Sequence, residues 1–341
     1  LGTFGFDVKG MDKTAAPGDD FYTFPNGAWA KDTPIPADKS NYGMFTVLDD
    51  LSKQRVRGIL DAVKDDKNSA IGRAYTSYLD TATVEYRGLA PIKPWLDKVK
   101  ALDSKAGYSA LVVEAAKMGI NGPLGGYVGQ DDKHPENYIF TIYQGGTGLP
   151  DRDMYLLDNP KMASIRTAYV AHLAKMLSLA GEDNAEARAK AVMDLETQIA
   201  KVQWTREDAS DAVKGYNKFT LAQTAQFASP TLDLSAIFKA ISPKITDVLI
   251  GQPSAVKGTA DILDKAPLGV LKDQMLLRSL GGLANYLPDS VADENFAFYG
   301  TTLQGTPQRE ERWKRAVDFV KESMGEEVGK IYVAKYFPPE T

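Results

Sequence analysis

The sequence predicts a mainly α-helical fold, a large multi-helix domain that carries a small β-hairpin. From about residue 45 onward, apolar residues recur every three or four positions with charged residues between them, as amphipathic helices require. One stretch, residues 125–145, instead alternates with the two-residue period of strands. The 341 residues are 43% hydrophobic, which is enough to fill a sizeable core.

Composition excludes several classes of function. The 40 basic and 45 acidic residues are interspersed and give a net charge of −5, so we expect no nucleic-acid partner. The absence of cysteine excludes disulfide scaffolds, thiolate metal sites and cysteine nucleophiles, and it says nothing about compartment. No run of eighteen apolar residues is present, so we predict no transmembrane segment. The first residues lack a secretory pattern, as they would if a signal peptide had already been removed.

Residues 1–45 are predicted to form an extended, turn-rich segment, because six glycines and four prolines interrupt any helical period. Asp19 and Asp20 precede a run of aromatic residues and could cap a short helix, which Pro25 or Gly27 would interrupt. Large aromatic side chains in so irregular a stretch need a surface against which to pack.

Residues 46–337 are predicted to form the helical domain. Helical spacing of apolar residues predicts the first helices at about 45–63, 71–79, 92–99 and 111–118. The hairpin follows at about 125–145, because its residues are rich in β-branched and aromatic types and a polar turn divides them.

The second half of this domain is also predicted to be helical. Two long amphipathic helices are expected at about 159–180 and 185–203. Between 220 and 288 we expect shorter helices, because a proline removes a backbone donor and clashes with the preceding turn; the boundary residues are Pro230, Pro243, Pro253 and Pro267. Residues 291–306 are expected to be an irregular aromatic crossing. The last helix is predicted over about 307–335 and ends before two prolines.

Residues that could carry catalysis are scarce. His134 precedes a proline and is expected to be a solvated turn residue, whereas His172 is expected to be a hydrogen-bonded core histidine. The sequence contains no H-E-x-x-H, no G-x-S-x-G and no phosphate-binding loop motif. Paired acidic residues are typical of solvated helix faces. Taken alone, these features indicate a mostly helical domain without a catalytic centre.

Three stretches, in order along the chain, resemble one known family. They are the N-terminal set Met11–Asp12, Pro17–Tyr22, Asn26–Trp29, Thr33–Pro36 and Tyr42–Phe45; the stretch Gln144–Leu156; and the closing pair Arg312–Val317 and Ile331–Phe337. Together they are similar to the N-terminal half of the neprilysin-type zinc metallopeptidases, the M13 family.

The resemblance implies the cap, or lid, half of a two-domain neprilysin-like peptidase that encloses oligopeptide substrates. It implies that zinc is bound by a C-terminal catalytic half and not by this chain, with the two halves in one polypeptide or as a nicked pair. Residues 338–341 would then be a truncated linker, and residues 1–45 would pack on the catalytic half. Members of this family are mostly secreted or surface-anchored, so the resemblance also implies a periplasmic or secreted bacterial protein whose signal peptide has been removed.

Three substrate-binding candidates follow from the resemblance. Phe45 matches a family aromatic that helps to line the pocket for the substrate residue after the scissile bond, although core packing is an equal alternative. Asn41 and Asp49 occupy positions where mammalian members have arginines that bind a substrate carboxylate. Neither can form a bidentate cationic pair, and Asp49 would repel a C-terminal carboxylate, which favours endopeptidase action. Arg152 is better explained as a turn-locking residue than as an anion site. The rival hypothesis is a non-enzymatic helical module that binds peptides or a partner protein.

Overall fold

The computed structural model describes residues 7–337, and this part of the chain is mainly helical, as predicted. The α-helices of the first half are α1 (Thr23–Asp32), α2 (Met44–Val63), α3 (Ala70–Leu79), α4 (Thr81–Arg87), α5 (Lys93–Lys100), α6 (Tyr108–Lys117), α7 (Asp153–Leu156) and α8 (Pro160–Leu179). Those of the second half are α9 (Ala185–Val202), α10 (Arg206–Ala209), α11 (Ala212–Gly215), α12 (Leu234–Ile241), α13 (Pro253–Lys265), α14 (Leu268–Leu283), α15 (Asp289–Phe296) and α16 (Arg312–Tyr336). The strands are β1 (Leu124–Asp131), β2 (His134–Gln144), β3 (Lys218–Thr220) and β4 (Asp247–Ile250).

The chain divides into two compact units. Unit 1 combines the chain up to Asp80 with the segment from Gln304 onward, and unit 2 is Thr81–Leu303. The predicted boundaries at residues 45/46 and 337/338 fall elsewhere and remain predictions. The predicted linker, residues 338–341, lies outside the described residues.

Unit 1 is held together by three helices that are distant in sequence. α2 and α3 pack against α16, and their apolar stripes bury Leu60, Tyr75 and Val317. Arg312 Nε donates to the carbonyl of Tyr78 at 2.7 Å, which ties the start of α16 to the end of α3. The core of unit 1 therefore requires residues from both ends of the chain.

Helix α1 partly contradicts the prediction for the N-terminal segment. The Asp20 carboxylate does cap the helix, because it accepts from the backbone N–H of Thr23 at 2.9 Å. The helix is not interrupted at Pro25 or Gly27, however, and continues to Asp32. Pro25 lies in the first turn, where its missing N–H would have had no partner in the helix.

The predicted hairpin is present, but it belongs to a larger sheet that the sequence did not reveal. β1 and β2 pair antiparallel, with the turn at residues 132–133, and the sheet has the strand order β1-β2-β4-β3. β4 pairs parallel with β2, and β3 pairs antiparallel with β4. Strands of three and four residues between proline-bounded helices are too short for a recognisable period.

The buried carboxylate of Asp131 ties the hairpin to the far edge of the sheet. It has no exposed surface and accepts from Lys218 Nζ at 2.9 Å and from the Tyr216 hydroxyl at 2.7 Å. The hydrogen bond from Lys218 outweighs desolvation and holds the pKa of Asp131 well below its usual range. His134 is the first residue of β2 and not a turn residue, although it is solvated, as predicted.

Residues 291–306 are not irregular. α15 runs directly into a π-helical turn, Ala297–Thr302, which places Phe298 in the core of unit 2. The last helix begins at Arg312, later than predicted, and has a non-helical residue at Met324, just before Gly325. In contrast, Pro253 and Pro267 begin or cap helices, as predicted.

Candidate functional site

The three predicted substrate-binding residues lie at the beginning of α2. Phe45 is the second residue of the helix and is 91% exposed, so it is not a core residue. Asp49 is one turn further along the same face. Asn41 lies before the helix, is exposed, and its amide donates to Ser40 Oγ at 3.4 Å. The structure therefore places an exposed aromatic ring and a carboxylate on one helical face and leaves Asn41 outside that face.

Asp49 is not a free anion. Its carboxylate lies 3.6 Å from Lys53 Nζ and 3.9 Å from Lys321 Nζ, two cations that it shares with Asp318. This modifies the prediction from sequence, in which Asp49 was expected to repel a carboxylate. The neighbouring lysines lower that repulsion.

A cluster of ion pairs underlies this face of α2. Lys53 is nearly buried and lies 2.8 Å from Asp318 and 3.3 Å from Glu310. Burial alone would lower the pKa of Lys53, but the hydrogen bond and charge of Asp318, with those of Glu310, raise it above the usual value. Lys39 also pairs with Glu310. These contacts hold the start of α2, and so the position of Phe45, against α16.

Other large apolar side chains in the first fifty residues are also exposed. Phe21 is 72% exposed and Tyr22 is 71% exposed, whereas Trp29 is half-buried. α1 contains no buried residue. Because exposed aromatic rings at this density are unusual for a surface that meets only water, these residues are candidates for contact with another protein surface.

Unit 2 contains a polar cluster that was not predicted from the sequence. Glu196 on α9 is 2% exposed, and its Oε2 accepts from the hydroxyls of Tyr155 and Tyr169 at 2.8 and 2.9 Å. Its Oε1 accepts from Gln274 at 3.0 Å and from Arg278 at 3.1 Å. These four donors satisfy the buried carboxylate, which also forms an ion pair with the buried guanidinium of Arg278.

The glycine-rich stretch before α7 folds around this carboxylate. The Gly148 N–H donates to Glu196 at 3.1 Å, and a Cβ at Gly148 would lie 1.9 Å from the Tyr169 hydroxyl oxygen. Gly146 has a φ of 86°, which favours glycine. The stretch Gln144–Leu156 therefore has a structural explanation. Burial and the charge of Glu196 raise the pKa values of Tyr155 and Tyr169 well above the usual value.

A cavity of about 250 Å³ adjoins this cluster. Arg278 Nε and Asn295 Oδ1 line it, and both are buried atoms without a hydrogen-bond partner in the described chain. One atom is a donor and the other an acceptor, so the cavity suits water better than an anion.

His172 and Arg152 have the structural roles predicted for them. His172 is 5% exposed, and its Nδ1 lies 3.0 Å from Glu294 Oε1 while the ring stacks on Phe298. Burial lowers the pKa of His172 despite the opposing effect of Glu294. Arg152 Nε donates to the carbonyl of Ala200 at 3.2 Å and so joins the turn to α9.

The described residues do not provide a zinc site. Within residues 7–337, no group of three or more histidine, cysteine, aspartate or glutamate side chains is arranged to hold a metal ion. Of the two histidines, His172 already bonds Glu294, and His134 is on the exposed hairpin. Nor does the described part of the chain contain a helix long and apolar enough to cross a membrane.

Solved structures with a similar fold include a zinc metalloprotease. The zinc metalloprotease Zmp1 of Mycobacterium tuberculosis, solved with an inhibitor, superposes with a TM-score of 0.91 at 29% identity, covering 97% of this chain and 52% of that one. A family model, that of peptidase family M13, matches residues 17–341. The chain therefore belongs to peptidase family M13 and corresponds to the N-terminal region of its neprilysin-type members.

Curated relatives support the same assignment. Human neprilysin is 27% identical, over 98% of this chain and 49% of the relative, and an endothelin-converting enzyme homolog from Locusta migratoria is 28% identical, over 96% and 48%. The chain thus spans about half the length of the curated relatives it matches.

Proposed function

We propose that this chain is the substrate-enclosing part of a zinc metalloendopeptidase that hydrolyses oligopeptides, and that it works with a C-terminal catalytic half that binds the zinc. The observation that carries the proposal is the exposure of Phe21, Tyr22 and Phe45 in unit 1. A chain that packed all its own apolar surface would bury these rings. Membership of family M13 and coverage of about half of each relative support the same proposal.

In this proposal the exposed apolar side chains of unit 1 contact the catalytic half. Ile35 and Met44 add to this surface, since they are 57% and 58% exposed. Burial of such side chains contributes about 25 cal/mol per Å² of apolar area. The rival, a stand-alone module that binds peptides or a partner protein, would also expose such rings, so the match to peptidase family M13 over about half the length of each relative is what favours the first proposal.

The test compares the 341-residue chain with the full encoded protein. Both are assayed on internally quenched oligopeptides, with and without a chelator. We expect hydrolysis by the full protein, loss of that hydrolysis with chelator, and no zinc-dependent hydrolysis by the chain alone. Chelator-sensitive cleavage by a contaminant-free preparation of the chain alone would refute the division of labour. A full protein that never cleaves peptides would favour the binding module.

We propose that Phe45 contributes an apolar wall to the pocket for the substrate residue after the scissile bond. Its ring is exposed and fixed at a helix start, as such a wall requires. In the full protein, Phe45→Ala is expected to raise KM for substrates that have a large apolar residue after the scissile bond. KM for substrates with a small residue at that position should not change. Met44→Ala, at the adjacent exposed position of the same surface, controls for loss of contact with the catalytic half. Equal effects of the two variants on all substrates would exclude this role for Phe45.

We also propose that neither Asn41 nor Asp49 supplies a cation for a substrate carboxylate, and that Lys53 and Lys321 stay paired with acidic side chains, which favours internal cleavage. Asn41→Arg in the full protein should raise kcat/KM for peptides with a free C-terminal carboxylate over the matching amides, on the order of tenfold for one charge-assisted hydrogen bond. Asn41→Gln is the neutral control. If the ratio of kcat/KM for the acid to kcat/KM for the amide is unchanged in Asn41→Arg, position 41 has no part in carboxylate recognition.

The family resemblance also supports a proposal about the compartment. We propose that the protein is periplasmic or secreted in a bacterium. Fractionation of the source cells, with antibodies against this chain, would test the proposal, and recovery solely with cytoplasmic markers would contradict it.

A further inference from the structure

Unit 2 contains a second cavity, which is apolar and unrelated to the polar cluster at Glu196. Its volume is about 350 Å³, and it lies between α6, the β1-β2 hairpin and α12. This volume is within the range of small-molecule sites. The walls are aliphatic and aromatic, and include Val112, Val113, Leu124, Phe140, Ile237 and Phe238.

The charge at this cavity is of one sign. Lys117, the last residue of α6, is the single ionisable residue among those that line it. Lys117 is exposed and has no acidic partner in the described part of the chain. Glu114, one turn earlier on α6, is already paired with Lys98, whose Nζ lies 2.6 Å from its carboxylate. The cavity therefore combines an apolar interior with an uncompensated ammonium group.

We propose that this cavity binds a hydrophobic monocarboxylate, a medium-chain fatty acid, with its alkyl chain among the apolar walls and its carboxylate paired with Lys117. The alkyl chain would supply most of the affinity, since each buried methylene strengthens binding about fourfold. The exposed ion pair would add a preference for anions of about twofold to fivefold. A cationic amphiphile would instead meet the ammonium group and bind less well.

Lys117 also ends a helix, where a cation stabilises the helix whether or not a ligand is present. Loss of stability in a Lys117 variant therefore carries no information about a ligand. The informative readout is the order of affinity among ligands that share an alkyl chain and differ in head-group charge.

The experiment is calorimetric titration of the 341-residue chain with decanoate, decanol and decyltrimethylammonium below their aggregation concentrations. We expect decanoate to bind most tightly and the cation least. Octanoate, shorter by two methylenes, should bind about 15-fold more weakly than decanoate. Lys117→Ala should weaken the affinity for decanoate about twofold to fivefold and leave the affinity for decanol unchanged. Lys117→Glu should make decyltrimethylammonium bind more tightly than decanoate.

Two further variants locate the site and control for fold. Ile237→Trp fills the cavity from its wall and should abolish binding of all three ligands, with circular dichroism confirming that the variant is folded. Lys175→Ala removes an exposed lysine that does not line the cavity, and it should change nothing. Absence of binding, equal affinity for decanoate and decanol, or unchanged binding by folded Ile237→Trp would each overturn the proposal. None of these measurements depends on peptidase activity.

Discussion

Unit 2 buries a carboxylate–guanidinium cluster inside a helical core, whereas residues 7–50 of unit 1 leave large apolar side chains on the surface. Glu196 in unit 2 is nearly inaccessible and accepts from donors on three other chain segments. Phe21 and Phe45 in unit 1 are 72% and 91% exposed. Both arrangements are costly in isolation, since a buried charge must be paired and an exposed ring orders water.

The two units compensate these unfavourable groups, a buried charge and exposed apolar rings, in different ways. The charges of the unit 2 cluster are compensated by partners in the same unit, so their effect is on stability. The exposed rings of unit 1 find no such partner in the described chain and point to contact with a second surface. Variants in unit 2 should therefore change the free energy of unfolding, and surface variants in unit 1 should change association.

The largest effect is expected at Glu196. Glu196→Ala removes the acceptor for two tyrosines and leaves the buried Arg278 guanidinium without its counter-charge. Loss of one partner of a buried pair costs about 3–5 kcal/mol. Urea unfolding monitored by circular dichroism would measure this loss. Glu322→Ala, at an exposed position, should change stability by less than about 0.5 kcal/mol, and equal effects of the two variants would contradict the role of the cluster.

Truncating one core side chain in each unit should show whether the two units unfold independently. Leu60 in unit 1 and Leu280 in unit 2 are both fully buried, so Leu→Ala at either position should cost about 2–5 kcal/mol. Amide hydrogen exchange should show faster exchange in α2, α3 and α16 for Leu60→Ala. For Leu280→Ala it should show faster exchange in α8, α9 and α14. Loss of protection throughout the chain in both variants would show that the two units unfold together.

A pH dependence is expected from His172 in unit 2. Burial lowers its pKa in the folded state, so below about pH 6.5 the unfolded imidazole binds a proton that the folded one does not. Stability should therefore fall as the pH falls from 6.5 towards the folded-state pKa, by no more than about 1.4 kcal/mol per pH unit. His172→Gln should reduce this slope in thermal melts between pH 5 and 7.5. The same slope in both proteins would assign the dependence to other groups.

The smallest effect on stability is expected at Phe45. Because its ring is 91% exposed, Phe45→Ser should change the free energy of unfolding of the chain by less than about 0.5 kcal/mol. The same variant should weaken association of the chain with a separately produced C-terminal half, measured by analytical ultracentrifugation. A large loss of stability without any change in association would show that Phe45 stabilises the fold of unit 1 and does not contact the C-terminal half.

Much of the helical architecture could be predicted from the sequence. The helices α2, α8 and α9 begin and end within about two residues of their predicted bounds, because their apolar residues keep a helical period over many turns. The hairpin was recognised because its period of two is equally clear. β4 and the π-helical turn were missed, since one is four residues long and the other is stabilised by packing of Phe298 against distant residues.

In the candidate site, too, local motifs could be predicted from the sequence and contacts between distant residues could not. Phe45 was found through a local motif, but whether its ring is buried could not be read from its neighbours in sequence. Glu196 carried no signal at all, because it resembles any other acidic residue on an amphipathic helix. Its partners come from α7 and the turn before it, from α8 and from α14, and nothing in the sequence near Glu196 specifies them.

The sequence by itself determined the mainly helical fold class, the hairpin and the motifs that indicate peptidase family M13, because each depends on residues close together in the chain. Only the tertiary structure decided that both ends of the described chain share one core, that Asp49 is offset by Lys53 and Lys321, and that Glu196 compensates Arg278. The physical reason is that burial and charge compensation depend on distance in space, which helical periodicity does not encode.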